Sequence, residues 1–198
     1  ASDTFSFSPL SGLRNGVDGG AGVDTLTTAA LFTNNTWQIK EAGGGYLRTV
    51  YGGIDFGGIE NLTGSAGDDT LVFSAGASIA GSLDAGGGDD TLDFIANPTD
   101  RAWNVTTTGN GSVTGIGGTF ASVENLLGGS GADTFGFAVG AWLTGRLDGG
   151  GGDDLLDLAG HAQAATWTLE AAGGGAVTAD AAAADSIIFA GVEHLTGG

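Results

Sequence analysis

The chain has no cysteine, only two prolines and just five lysines and arginines among its 198 residues. Without cysteine there is no disulfide framework and no thiolate metal site. With only two scattered histidines as well, zinc is disfavoured. Few prolines, and glycines with no strict three-residue period, exclude collagen. Five cations against 23 acidic side chains leave a formal net charge of −18. A surface of that sign repels nucleic acid phosphates and anionic lipid, so neither is an expected partner. No apolar run approaches the roughly 18 residues of a membrane-spanning helix, so no membrane insertion is expected. The opening residues Ala1-Ser2-Asp3-Thr4-Phe5 do not read as a signal peptide, so an export signal would lie elsewhere. There is no G-x-S-x-G elbow and no H-E-x-x-H pair. The basic residues Arg14, Lys40, Arg48, Arg101 and Arg146 are spread along the chain rather than clustered. An enzyme is therefore not expected; a polysaccharide-active solenoid enzyme is the weakest alternative.

Glycine is abundant instead, at 41 residues, beside a hydrophobic fraction of 41%. That apolar content is too high for a disordered chain and predicts a packed core. The glycines predict many tight turns and few helices. Internal repeats organise the pattern. Trp37, Trp103 and Trp167 are separated by 66 and 64 residues, and Glu60, Glu124 and Glu193 by 64 and 69. Asp18, Asp84 and Asp148, each opening an Asp-x-Gly-rich turn, follow the same spacing. Three units result, 1–66, 67–130 and 131–198, read as one continuous structure. The N-terminus lacks the Gly-rich half that precedes the equivalent stretch in later copies, and the C-terminus ends in its beginning. This predicts a segment of a longer array, or head-to-tail stacking of copies.

Each unit subdivides. Asp69 and Asp90 lie 21 residues apart, as do Asp133 and Asp154. Glycine corners at 43–45, 109–111 and 173–175 fall near the middle of the longer gaps. Between corners lie short alternating stretches such as Leu71/Phe73, Leu92/Phe94 and Leu156/Leu158, whose side chains point to one face. The expected fold is all-β: a parallel β-solenoid of about 21 residues per coil and three coils per repeat.

Five corners match the nonapeptide G-G-x-G-x-D-x-(large apolar)-x. Gly19-Gly20-Ala21-Gly22-Val23-Asp24, Gly128-Gly129-Ser130-Gly131-Ala132-Asp133 and Gly149-Gly150-Gly151-Gly152-Asp153-Asp154 open full matches. Gly64-Ser65-Ala66-Gly67-Asp68-Asp69 and Ala85-Gly86-Gly87-Gly88-Asp89-Asp90 each depart at one glycine. Calcium, a hard cation, takes about 6–8 oxygen ligands. A Gly-rich bend can turn carbonyl oxygens inward, and one aspartate per bend adds charge. One bend cannot fill the shell, whereas two stacked bends can. The expected pairs are Asp69 with Asp90 and Asp133 with Asp154. The bland alternative is a set of ordinary Asp-Gly turns on an acidic surface; five matches in one phase favour calcium. Magnesium, with its strict octahedral geometry, suits a carbonyl cage poorly.

These nonapeptides resemble the RTX, or hemolysin-type, calcium-binding repeats of secreted bacterial proteins. The intervening W-x-V, V-E-N-L and G-x-x-L-x-G stretches are similar to those of very large bacterial surface proteins. The resemblance implies a right-handed parallel fold, calcium as cofactor between stacked turns, and an extracellular or cell-surface location. It implies as ligands the aspartate carboxylates with backbone carbonyls of each Gly-rich half. These are Gly64, Ala66 and Gly67 with Asp69; Ala85, Gly87 and Gly88 with Asp90; Gly128, Ser130 and Gly131 with Asp133; and Gly149, Gly151 and Gly152 with Asp154. In the first copy they are Gly19, Ala21 and Gly22 with Asp24, and Asp3. Typical members repeat the nonapeptide back to back, whereas here single copies alternate with longer strands, which favours a wider solenoid.

The expected function is a calcium-stiffened structural module of an adhesin, surface layer or filament, with neighbouring repeats as partners. The alternative is a glycan-binding module, for which Trp142, without a repeat counterpart, is the candidate exposed contact. Trp37, Trp103 and Trp167 are read as core, His161 as a surface residue, and Glu60, Glu124 and Glu193 as solvated or turn-bonding carboxylates. Asn61 and Asn125 are candidates for an asparagine ladder, and His194, in their place in the third copy, for a tolerated substitution.

Overall fold

A computed structural model describes residues 1–7, 16–161, 164–170, 173–179 and 186–198. The fold is all-β, with no helix among the described residues and mostly parallel strands in two sheets. The chain divides into two compact units, one of residues 1–93 and 115–123, the other of residues 94–114 and 124–198. Of the sequence features named above, Arg14 lies outside the described residues.

The first unit holds β1 (Thr4–Ser6), β2 (Val17–Asp18), β3 (Thr25–Thr27), β4 (Thr36–Glu41), β5 (Gly44–Thr49), β6 (Gly52–Gly57), β7 (Asn61–Ser65), β8 (Thr70–Phe73), β9 (Leu83–Gly86) and β10 (Thr91–Asp93). After β11 (Ala102–Thr107) and β12 (Asn110–Val113) of the second unit, β13 (Phe120–Ala121) belongs again to the first. One sheet of this unit runs β1-β3-β7-β9-β13, every pair parallel. Its register aligns Leu26 with Leu62, Leu62 with Leu83 and Leu83 with Phe120, all four buried. The other runs β10-β8-β4-β5-β6-β2 and aligns Leu92, Leu71, Trp37, Leu47 and Ile54 in successive strands. Identical inward positions therefore stack from strand to strand. Each buried leucine removes enough apolar surface from water to contribute roughly 1.5–3 kcal/mol.

The second unit continues with β14 (Asn125–Leu127), β15 (Thr134–Phe137), β16 (Arg146–Asp148), β17 (Leu155–Asp157), β18 (Ala165–Leu169), β19 (Gly175–Ala179), β20 (Ser186–Ala190) and β21 (His194–Thr196). One set runs β12-β11-β15-β17-β21, the other β18-β19-β20-β16-β14. Trp103 stacks on Phe135 with centroids 5.3 Å apart and planes 17° apart, and meets Phe94 edge-on.

The spacing of 21 residues is present in both units. It relates Thr4 to Thr25, Leu62 to Leu83, Leu71 to Leu92, Leu126 to Leu147 and Phe135 to Leu156, each pair in parallel register. The expected third coil of each repeat is corrected. At 43–45, 109–111 and 173–175 the chain does not round another corner of a parallel coil but doubles back. β4 pairs antiparallel with β5, β11 with β12, and β18 with β19. Gly43, Gly109 and Gly173 carry φ of 64°, 72° and 71° at these reversals. A hairpin turn and a solenoid corner both select glycine for positive φ, so glycine alone does not distinguish them. What decides is the flanking strand: Trp37 is paired with the buried Leu47 on β5, and a bulge after Ile39 absorbs the odd residue.

Two further expectations are corrected. Trp142 is not an exposed contact but 4% exposed, and His161, equally buried, packs against it with ring centroids 4.7 Å apart. The His161 Nε2 lies 3.1 Å from the Ala141 carbonyl oxygen, so the backbone satisfies its polar edge. Trp37 and Trp103 are core residues, 0% and 2% exposed, whereas Trp167 is half-buried against Phe189.

Candidate metal centre

The five nonapeptide aspartates, Asp24, Asp69, Asp90, Asp133 and Asp154, are all at most 1% exposed. Their exposed neighbours Asp68, Asp89 and Asp153 face solvent. Burial follows from the strand that begins next. The large apolar residue two positions on, such as Leu71 or Leu156, points inward, and alternation carries the aspartate to the same side.

The expected vertical register is present. The backbone N–H of Asp69 donates to Asp90 Oδ1 at 2.6 Å, that of Asp133 to Asp154 Oδ1 at 2.7 Å, and that of Asp3 to Asp24 Oδ1 at 2.6 Å. The bends stack as well. Gly87 N–H donates to the Ser65 carbonyl and Gly151 N–H to the Gly129 carbonyl. The third-position residues Ala21, Ala66, Gly87, Ser130 and Gly151 sit exposed at the tips of the bends. Glu60 and Glu193 extend the same scheme, accepting the N–H of Asp24 at 2.8 Å and of Asp154 at 2.9 Å. Of the two expected readings, solvated or turn-bonding, both carboxylates take the second. The side-chain oxygens of Asn61 and Asn125 accept the N–H of Ser82 and Arg146, each 21 residues on. His194 Nε2 lies 2.7 Å from Asp153 Oδ1 on the exposed flank of the bend.

The five bends fall into two kinds. In those at 64–72 and 128–136 the aspartate closes its own bend. Asp69 Oδ2 accepts the Ser65 N–H at 2.8 Å, and Asp133 Oδ2 accepts the Gly129 N–H at 2.6 Å. Their Oδ1 atoms accept the N–H groups of Asn35 and Arg101, each at 2.7 Å. In the bends at 19–27, 85–93 and 149–157 the second-position N–H turns to the aspartate just before the bend. Gly20 donates to Asp18, Gly86 to Asp84 and Gly150 to Asp148. This reversal gives Gly20, Gly86 and Gly150 φ of 75°, 109° and 94°. It explains why Ser65 is tolerated in the first kind and glycine stands at that position in the second.

The consequence lies at the second carboxylate oxygen. Oδ2 of Asp24 and of Asp154 is buried and has no hydrogen-bond donor. A Cβ placed on Gly149 would lie 2.0 Å from the Gly191 carbonyl oxygen and 2.7 Å from Asp154 Oδ2. On Gly19 it would lie 2.1 Å from the Gly58 carbonyl oxygen and 3.0 Å from Asp24 Oδ2. The same pairing of a carbonyl and a carboxylate oxygen crowds Gly64 and Gly128 in the first kind of bend, so the missing donor is what sets Asp24 and Asp154 apart. Burial raises the affinity of three of the bend carboxylates, Asp154, Asp69 and Asp133, for protons. Asp154 is pushed up to about 6 by desolvation, with Asp133, Glu193 and Asp153 adding like charge. Asp69 and Asp133 are also raised by burial, partly offset by the N–H groups they accept and, for Asp133, by the charge of Arg101. Arg101 itself is buried, with its guanidinium 3.9 Å above the Phe94 ring.

Among the described residues no three His, Cys, Asp or Glu side chains are grouped as a metal cluster. Asn35 and Arg101, the donors to Asp69 and Asp133, were not legible as site residues. They lie 34 and 32 residues upstream and share no residue type. No known family profile matches the chain, and no curated protein sequence matches it.

Proposed function

We propose that the chain is a calcium-binding structural module in which its stacked glycine bends coil as a right-handed β-solenoid. The observation that carries this reading is the buried, donor-free Oδ2 of Asp24 and Asp154. Each lies, like a backbone carbonyl oxygen, within 3.0 Å of where a Cβ on the first glycine of its bend would fall. A buried carboxylate oxygen without a donor costs free energy until a proton or a cation reaches it. In this reading Asp24, Asp90 and Asp154 supply the charged ligands, with carbonyls of the Gly-rich halves completing the shell. Asp69 and Asp133, each accepting two backbone N–H groups, hold the stack in register.

Calcium would offset part of a net charge of −18 and couple binding to folding. A stiff acidic array of this kind fits an adhesin, surface layer or filament outside the cell, where calcium is plentiful. Its partners would be neighbouring repeats. Thermal melting with calcium and with chelator tests the proposal. A calcium-dependent rise in melting temperature, with a matching isotherm by calorimetry, supports it; identical melts and no binding heat refute it.

A further inference from the structure

Outside the bends, the first unit carries a groove of about 240 Å³ lined by Asn34, Thr36, Arg48, Thr49 and Val50. Its floor is the cross-strand pair Thr36–Arg48 on β4 and β5. Its walls are held in place. Asn34 Oδ1 accepts the Asp68 N–H at 3.0 Å. Thr49 Oγ1 accepts the Tyr51 N–H at 3.0 Å and donates to the Gly52 carbonyl at 3.1 Å, locking the turn between β5 and β6.

Two features set this groove apart. In a chain with 23 acidic residues, Arg48 is exposed and, among the described residues, has no carboxylate partner. Two aromatics also stand open to solvent, one beside each wall in sequence. Phe32 is 82% exposed, two residues before Asn34, and Tyr51 is 51% exposed, next to Val50. A free guanidinium offers a planar fork for a carboxylate or sulfate. Exposed aromatic faces suit the C–H faces of a sugar ring. The volume is below that of a drug-sized pocket and matches a single ring.

We propose that this groove binds one anionic sugar unit of a polysaccharide, its acid group on Arg48, its hydroxyls at Thr36 and its ring between the flanking aromatics. The inference does not depend on the metal reading. The test is calorimetric titration of the full chain, at saturating calcium, with four probes: a uronic acid trisaccharide, its carboxyl-reduced neutral counterpart, a sulfated trisaccharide, and acetate. At least one acidic trisaccharide is expected to bind at least tenfold more tightly than the neutral one and than acetate; which of the two binds separates uronate from sulfate recognition. Arg48→Gln should lower that affinity at least tenfold, and the Phe32→Ala/Tyr51→Ala double variant several-fold, with melting temperatures unchanged because all three side chains are exposed. No binding by either acidic trisaccharide, equal binding of the neutral sugar or of acetate, or an unaffected Arg48→Gln variant overturns the proposal.

Discussion

The backbone N–H of Asp133 donates to Oδ1 of Asp154, 21 residues later, at 2.7 Å. Both carboxylates are buried, yet they differ in what they hold. Asp133 accepts two backbone N–H groups, from Arg101 and Gly129, whereas Asp154 has a donor on Oδ1 and none on Oδ2.

That difference predicts opposite outcomes for one substitution. Asp133→Asn must turn its amide nitrogen toward one of two N–H donors, whichever way it flips. It should lose about 1–3 kcal/mol of stability in chelator. Asp154→Asn can keep its oxygen on the Asp133 N–H and direct its NH₂ toward the Gly191 carbonyl. In chelator it should melt at or above the wild-type temperature, while losing part of the calcium-induced rise. Paired melting curves with and without calcium check both.

Stability without metal should depend on pH. The raised Asp154 group holds its proton up to about 6 in the folded chain, against an ordinary value of 3.8. Between those values the folded state binds more protons than the unfolded one, so stability falls as pH rises. Its contribution is fully present below about 3.8 and lost above about 6. Asp69 and Asp133, also raised, act in the same sense. Chelated protein should thus melt higher at pH 5 than at pH 7, and calcium should shrink the gap. A chelated melting temperature that rises between pH 5 and pH 7 would contradict this.

Alanine at two glycines of one kind of bend should separate crowding from backbone strain. At Gly149 the added methyl meets the Gly191 carbonyl and Asp154 Oδ2, so Gly149→Ala should cost about 3 kcal/mol, through overpacking. At Gly20 nothing lies within 4 Å, and only the φ of 75° opposes a side chain. Gly20→Ala should cost about 1–2 kcal/mol. Chemical denaturation of both variants measures the difference.

Trp142→Ala should behave as a core deletion, destabilising by about 3–5 kcal/mol, because the indole is buried against His161. Its fluorescence in the folded chain should resist aqueous quenchers that would reach an exposed indole.

Much of this was legible beforehand because it depends on short-range rules. The inward march of Leu71, Leu92 and Leu156 follows from alternation, and the parallel pairing of Leu71 with Leu92 follows from their spacing of 21 residues. The hairpins at Gly43, Gly109 and Gly173 were not distinguishable from corners, since both demand a residue at positive φ. Trp142 stands outside the repeat phase, and only its contact with His161 shows it to be core.

By itself, the sequence determined the all-β class, the inward positions and the adjacency of Asp69 to Asp90 and of Asp133 to Asp154, because period-2 alternation and a constant repeat length act along the chain. The tertiary structure alone decided which aspartates are satisfied and which are left with a bare oxygen. That outcome depends on N–H groups delivered from elsewhere in the fold, such as those of Asn35 and Arg101, and on the local turn of Gly20, Gly86 and Gly150 toward the preceding aspartate. A hydrogen bond is set by distance in space, and no spacing in the chain specifies which donor will arrive.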